Sequence, residues 1–131
     1  MGLCDQGEVY IAPLNFGYFC DNGQYSFYFH GAKVGRKLDL IRSNPRVGFE
    51  MDCNVEVHTA DVACRCATQF QSIIGNGIAS IVTDPTEKHR GLIAIMRHYT
   101  GKTDWDIPQK AVDAVCVFKL VPTNLSCKQH D

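Results

Sequence analysis

The residues with the clearest chemical potential lie in the stretch FYFHGAKVGRKLDLI, residues 27–41. An apolar, aromatic run typical of a strand stops at His30, and Gly31 follows as a turn residue. A helix then opens with three cations in its first turns, Lys33, Arg36 and Lys37. Unpaired N–H groups at a helix N-terminus attract anions. This strand-to-helix junction therefore predicts either a solvated basic turn or a bound phosphate.

A monophosphate fits the stretch better than a triphosphate. Gly31 would let the backbone approach a ligand closely, and the nearby cations could add charge-assisted hydrogen bonds. Lys33 and Lys37 are four residues apart and so share a helix face. GAKVGRKL has three residues between its glycines, whereas a P-loop needs four, and no Ser or Thr follows the lysine.

Other residues of catalytic type carry weaker signals. His30 could donate a hydrogen bond or a proton to a substrate, since imidazole titrates near neutral pH. As an isolated feature it is more typical of a structural histidine. Cys53, His58, Cys64 and Cys66 could supply zinc ligands, but their spacing is looser than paired CxxC motifs, so no metal site is predicted. No Ser-His-Asp or paired-carboxylate motif supports hydrolase chemistry.

Size and composition predict one soluble domain that spans residues 1–131. The chain is 45% apolar with a formal net charge of −1, which gives no argument for nucleic acid or membrane binding. The seven cysteines form no disulfide framework and favour a reducing, cytoplasmic setting, with Cys20, Cys53 and Cys116 as small buried hydrophobes. No signal peptide or membrane-length apolar run is visible.

The strands are predicted from alternating and aromatic runs. EVYIAPLNFGYF is the first, with Pro13 at an edge or bulge, and the turn DNG joins it to QYSFYFH. RVGFEM and VEVHT are two further strands, and residues 60–68 are a loop. FQSIIGNGIASIVT is a long strand bent at Gly75 and Gly77, and AVCVFKLVPT is the last strand. The chain's first four residues, MGLC, resemble the end of a strand.

Two helices interrupt these strands. The first covers residues 34–43 and ends at the Asn-Pro pair. The second begins at Asp84 with a capping box to Glu87, and it ends at Gly101. Its buried stripe is predicted from the 3.6-residue period, with His98 facing solvent; the stripe residues are Leu92, Ile95, Met96 and Tyr99. The order β-β-α-β-β-β-α-β predicts a mainly β fold, an antiparallel six-stranded β-barrel with α insertions.

The segments PLNFGY, FYFHGAKVGRKLDLIRSNPRV, FQSIIGNG and DPTEKHRGLIAIMRHYTG resemble the pyridoxamine 5′-phosphate oxidase-related flavoproteins, in particular their nitroimidazole-resistance (Nim) branch. The resemblance covers nearly the whole chain. It implies an FMN-binding split barrel of Greek-key topology that forms a homodimer, with the flavin at the subunit interface. It also implies that the usual N-terminal helix and part of the first strand are missing.

The resemblance assigns roles residue by residue. The flavin ring lies against Pro13, Leu14 and Asn15, and the strand end with His30, Gly31 and Ala32 lies beside it. Lys37 binds the FMN phosphate with help from Lys33 or Arg36, while Gln71 and Ser72 also help to hold it. A histidine at position 30 is associated with the active site.

The leading hypothesis is an FMN-dependent oxidoreductase that reduces a nitroimidazole-like compound or another small electron acceptor with an external reductant. The alternative is a flavin carrier or sensor of the same fold without turnover. A third hypothesis is a barrel that binds another phosphate ligand, because relatives often carry a basic residue where this chain has Gln71.

Overall fold

The structure, a computed structural model, describes residues 1–130; Asp131, the last residue of the predicted domain, lies outside the described residues. Seven antiparallel strands form one sheet in the order β2-β1-β5-β6-β7-β4-β3. The strands are β1 Gly2–Asp5, β2 Glu8–Ile11, β3 Gly17–Asp21, β4 Gln24–Gly31, β5 Arg46–His58, β6 Ala67–Ile81 and β7 Cys116–His130. The helices are α1 Arg36–Ser43, α2 Pro85–Thr100 and α3 Gln109–Ala114. A mainly β fold is confirmed.

The sheet curls around one core. Phe27 on β4 and Phe49 on β5 lie with ring centroids 5.7 Å apart, although two strands separate β4 from β5 in the sheet. Phe29 and Phe118 stack across β4 and β7 at 5.4 Å. Leu38, on α1, is fully buried against this core. The sheet is therefore strongly bent, as a split barrel requires.

Two strand predictions were wrong in their boundaries. The first predicted strand is two strands, β2 and β3, joined by the non-strand segment 12–16 that contains Pro13. RVGFEM and VEVHT are one strand, β5, in which the register shifts between Cys53 and Glu56. Asn54 absorbs this shift with a positive φ of 52°, so the irregularity bends the strand without ending it. With β1 added, the sheet has seven strands where six were predicted.

The end of the chain also differs from expectation. The predicted last strand ended at Thr123, but β7 continues beyond it and pairs with β6 as far as His130. In β5, β6 and β7, residues 50–58, 67–74 and 125–130 extend beyond the core with mostly exposed side chains, and we call them the arm. The predicted bend at the glycines of β6 is confirmed by a register shift between Asn76 and Gly77.

Turn and cap predictions were more accurate. Asn22 and Gly23 both have positive φ, as a two-residue hairpin turn requires. The Asp84 carboxylate accepts a hydrogen bond from Glu87 N at 2.7 Å, and Gly101 ends α2 in the left-handed conformation. Within residues 1–130, no helix is long and apolar enough to cross a membrane.

Helix α2 packs closely on the outer face of the sheet because two glycines leave room for it. A Cβ on Gly17 would lie 2.2 Å from the backbone of Ala94 and Ile95, and one on Gly91 would lie 2.7 Å from the Tyr28 ring. The predicted buried stripe was partly right: Ile95 is buried and Leu92 packs against the outer face of the sheet, but the other buried residues of α2 are Gly91 and Ala94. Tyr99, assigned to that stripe, is 53% exposed.

Candidate functional site: the β4–α1 junction and the segment before β3

The junction between β4 and α1 leaves backbone donors free. Gly35 is the N-cap residue, and its φ of 142° is a conformation that favours glycine. Its carbonyl accepts bonds from Leu38 N and Asp39 N at 3.0 and 3.3 Å, and no side chain caps the helix. Within residues 1–130, the N–H groups of Arg36 and Lys37 have no acceptor. The start of α1 therefore presents free donors beside its cationic side chains.

Lys37 lies directly over Gly31. A Cβ at position 31 would meet Lys37 Cε at 3.0 Å and Nζ at 3.3 Å, so the glycine provides the space that the lysine end occupies. In the described part of the chain, neither Lys37 nor exposed Lys33 has a carboxylate within ion-pair distance. Lys33 and Lys37, which we call the lysine cluster, thus lie at the end of β4 without counter-charges among residues 1–130.

Arg36 differs from these lysines because a carboxylate already neutralises its charge. Its Nε and Nη2 both donate to Asp5 Oδ2, at 3.1 and 2.5 Å, and its guanidinium stacks over the Tyr10 ring at 4.5 Å. Both partners belong to the β1–β2 hairpin. Asp5 therefore offsets the charge that Arg36 could offer to an anion.

His30 and Lys37 lie on opposite sides of β4. Alternate residues of a strand face opposite ways, and Phe29 faces the core, as does the Gly31 position covered by Lys37. His30 is exposed on the other face, paired across the sheet with Val117. Ala32 follows Gly31 and is exposed. The sheet thus separates the predicted proton donor from the lysine cluster.

Pro13, Leu14 and Asn15 form a connection between β2 and β3, which we call the bridge. The bridge is open to ligands because the N–H groups of Leu14 and Asn15 have no acceptor in the described chain. Leu14 also lines a cavity of about 210 Å³ with Phe29 and Phe49. Phe29 lies two residues before Gly31 on the same side of β4, so the core face links the bridge with the lysine cluster.

Gln71 and Ser72 lie at the other end of the sheet. They pair with Gln129 and Lys128 of β7, whereas Gly31 pairs with Cys116 at the start of the same strand. Twelve residues of strand correspond to about 40 Å. Within one chain, the structure does not bring Gln71 and Ser72 to the lysine cluster. The Gln71 amide instead accepts from Asn54 Nδ2 at 2.8 Å and donates to Gln129 Oε1 at 3.2 Å.

A larger groove of about 830 Å³ opens between the arm and the β3–β4 hairpin. Its walls include Gln71 and Ile73 from the arm, Tyr18 and Tyr25 from the hairpin, and His98 with Tyr99 from α2. The prediction placed His98 in solvent and Tyr99 in the core. His98 is exposed, as predicted, and also packs on Phe16 with 4.5 Å between ring centroids. Tyr99 is not in the core, and its Oη accepts a bond from Phe16 N. Phe16 lies 82 residues before His98 and 83 residues before Tyr99, so the periodicity of the helix sequence could not predict either contact.

The outer face beneath α2 contains a polar network. Tyr28 Oη and Lys119 Nζ both donate to Glu87 Oε1, at 3.0 and 2.6 Å. The hydrogen bond from Lys119 is the main cause that lowers the pKa of Glu87, while burial, assisted by the bond to Glu87, raises the pKa of Tyr28 to about 12. Glu87 therefore stays ionised and Tyr28 neutral. The expected return bond from Glu87 to the start of α2 is replaced by these two contacts.

The cysteines are all free thiols. Cys116 is buried as predicted, but Cys20 and Cys53 are exposed. Among residues 1–130, no three His, Cys, Asp or Glu side chains come close enough to hold a metal ion.

Comparison with known proteins places this geometry in a family. A family model described as pyridoxamine 5′-phosphate oxidase matches residues 1–129. A candidate 5-nitroimidazole antibiotic resistance protein from Bacteroides thetaiotaomicron is 27% identical with a TM-score of 0.78, covering 96% of this chain and 72% of that one. No curated protein sequence matches the chain.

More distant structures share the fold alone. The FAD and heme binding protein from Mycobacterium smegmatis is 17% identical with a TM-score of 0.77; the match covers 99% of this chain and 63% of that chain. The flavocytochrome Anf3 from Azotobacter vinelandii is 19% identical with a TM-score of 0.71 and coverages of 99% and 60%. From the family match over nearly its whole length, we conclude that the chain belongs to the pyridoxamine 5′-phosphate oxidase family.

Proposed function

We propose that this chain is an FMN-dependent oxidoreductase that reduces a nitroimidazole-like compound or another small electron acceptor. The family match supports a flavin, and the 27% identical Bacteroides structure supports the nitroimidazole class of substrate. The observation that carries the proposal is Lys37, a cation that lies over Gly31 and has no ion pair within residues 1–130. An unpaired lysine beside free helix donors fits a phosphate monoester such as that of FMN.

The residues present fit this cofactor. Lys37 and Lys33 would hold the phosphate with the free N–H groups at the start of α1, and Gly31 and Ala32 would border it. The bridge of Pro13, Leu14 and Asn15 would contact the flavin ring through its free backbone groups. Bound FMN supplies the electron-transfer chemistry, whereas the protein supplies binding, orientation and a substrate cleft.

A homodimer would complete the site. Gln71 and Ser72 lie about 40 Å along β7 from Gly31, so one chain cannot use both groups on one phosphate. A second copy could bring its own Gln71 and Ser72 to this end of the sheet. We therefore propose that the flavin lies between two subunits and that both contribute to it, in a cytoplasmic protein.

His30 would act on the substrate side. Its imidazole is exposed and has no hydrogen-bond partner within residues 1–130. It is therefore free to donate a hydrogen bond or a proton to the substrate that is being reduced. Its place on the opposite face from Lys37 favours a second candidate, a flavin carrier or sensor without turnover. In that case the protein would bind FMN but would not need a proton donor.

The direct test of the proposed function is a titration of the purified protein with FMN and with FAD, followed by anaerobic reduction and addition of a 5-nitroimidazole. Saturable FMN binding and loss of the nitro absorbance would support the oxidoreductase. Binding without nitro reduction would support the carrier, and no binding of either flavin would contradict both.

Substitution of His30 separates the two candidates. His30→Ala should leave the FMN dissociation constant unchanged and slow nitro reduction by about 10²-fold or more, because a general acid is lost. The rate is measured from single-turnover traces of prereduced protein. His89→Ala, which removes an exposed imidazole on α2, is the control. Equal rates in the two variants would remove His30 from the reaction.

A further inference from the structure

The bridge is anchored at both ends. Before it, Ala12 is buried and its N–H donates to the Met1 carbonyl at 2.9 Å. After it, the Phe16 N–H donates to Tyr99 Oη at 3.3 Å, and the Phe16 ring packs on His98. Only three residues lie between these anchors. Their backbone conformation therefore depends on where the two ends are held.

The second anchor lies where β3 and α2 pack closely together. Gly17, next to Phe16, lies against the α2 backbone so closely that no Cβ would fit. One turn of α2 beyond Ala94, which contacts Gly17, Arg97 Nη2 donates to the Tyr18 carbonyl at 2.6 Å. The end of α2 is itself tied down, since Trp105 Nε1 donates to Thr100 Oγ1 at 3.2 Å. Tyr99 thus transmits the position of α2 to the residue that follows the bridge.

We propose that Tyr99 is a positioning residue for the flavin-facing bridge. This inference rests on the proposed function, because it gives the bridge a ligand to receive. Tyr99 acts through Phe16 and does not itself contact the flavin. Its hydroxyl holds the end of a segment whose Leu14 and Asn15 N–H groups are free, so those donors keep one orientation. Donors held in place before binding raise affinity because less conformational freedom is lost on binding.

The test compares Tyr99→Phe with Tyr25→Phe. Each variant loses one hydroxyl from the wall of the same groove, and both tyrosines are partly exposed, at 53% and 40%. The Tyr25 hydroxyl has no hydrogen bond within residues 1–130, so its removal is a matched control. Because both rings are retained and neither hydroxyl is buried, we expect both variants to fold.

Three readouts are expected to change in Tyr99→Phe. In flavin-free protein, hydrogen exchange of the Phe16 amide should accelerate by about tenfold, since the one acceptor that residues 1–130 offer it is gone. The dissociation constant for FMN should rise about threefold to tenfold, and the visible absorption band of bound FMN should change shape. Tyr25→Phe should match the unsubstituted protein in all three measurements.

The outcomes separate this inference from the proposed function. Equal Phe16 exchange in the two variants would overturn the anchor. Faster exchange with an unchanged FMN dissociation constant and spectrum would overturn the role toward the flavin, while FMN binding by the unsubstituted protein would leave the proposed function intact. If that protein bound no flavin, the proposed function and the role toward the flavin would both fail, and the exchange comparison would still decide the anchor.

Discussion

The two places where charged side chains meet β4 differ in how those charges are satisfied. On the outer face, beneath α2, Glu87 binds both Lys119 and Tyr28, and Arg90 pairs with Asp21. At the strand end, Lys37 folds over Gly31 without a counter-charge in the described chain. Paired charges hold one element to another, whereas an unpaired cation beside free backbone donors is suited to an external anion. The first region therefore holds α2 to the sheet, and the second is the one that we propose to bind an anion.

The largest effect on stability should come from a substitution at the contact between β3 and α2. Gly17→Ala would place a Cβ 2.2 Å from the α2 backbone, and neither backbone can move aside cheaply. We expect a loss of about 3 kcal/mol in the free energy of unfolding, measured by urea titration. Gly2→Ala is the control, because its Cβ would meet nothing closer than 3.6 Å. Equal stability of the two variants would mean that α2 does not pack here.

Lys37→Ala should affect binding and leave stability almost unchanged. Loss of a charge-assisted bond to phosphate should weaken FMN binding by about 1.5–3 kcal/mol. Calorimetric titration with FMN and urea unfolding of the flavin-free variant measure the two quantities. Lys110→Ala, which removes an exposed lysine on α3 that forms no ion pair with the described residues, is the matched control. Unchanged FMN affinity would remove Lys37 from the site.

Glu87→Gln should show the opposite pattern from Lys37→Ala, with lower stability and unchanged FMN binding. Lys119 would lose its counter-charge and Tyr28 its charged acceptor, which should cost about 1–2 kcal/mol of unfolding free energy at neutral pH. Because the fold lowers the pKa of Glu87, the ionised carboxylate stabilises the protein above its ordinary pKa, and this contribution is lost as pH falls. Stability should therefore fall between about pH 5 and pH 3 less in the variant than in the unsubstituted protein.

Urea unfolding at several pH values measures the pH dependence of stability in Glu87→Gln. Glu8→Gln is the control, because Glu8 is exposed and has no ion pair in the described chain. FMN affinity at neutral pH should not change in Glu87→Gln. A variant with normal stability and weakened FMN binding would reverse the assignment of the two regions.

The sequence could predict features whose cause is local. The Asn22-Gly23 turn, the Asp84 cap and the Gly101 helix end depend on the conformations of adjacent residues. Long-range contacts were missed: the division of the first strand around the bridge, and the contact of Tyr99 with Phe16 83 residues earlier. Hydrophobic periodicity identifies one face of a helix but not the residue that covers it.

The candidate site follows the same rule. The residues of the junction are close in sequence, and their clustering follows from the strand-to-helix turn alone. Which of the three cations is free depends on Asp5, which lies 31 residues before Arg36 in the chain. No spacing rule links the two residues, so the sequence could not separate Arg36 from Lys33 and Lys37.

The smallest effect should come from Arg36→Ala. The ion pair with Asp5 is more than half exposed on the arginine side, so its loss should cost no more than about 1 kcal/mol of unfolding free energy. Because Asp5 already neutralises Arg36, FMN affinity should stay within about twofold of the unsubstituted protein. Asp5→Asn removes the counter-charge of Arg36 and is therefore the variant to compare with Arg36→Ala. If Asp5→Asn tightened FMN binding and Arg36→Ala weakened it tenfold, Arg36 would belong to the phosphate site, and the division between paired and unpaired cations would have to be redrawn.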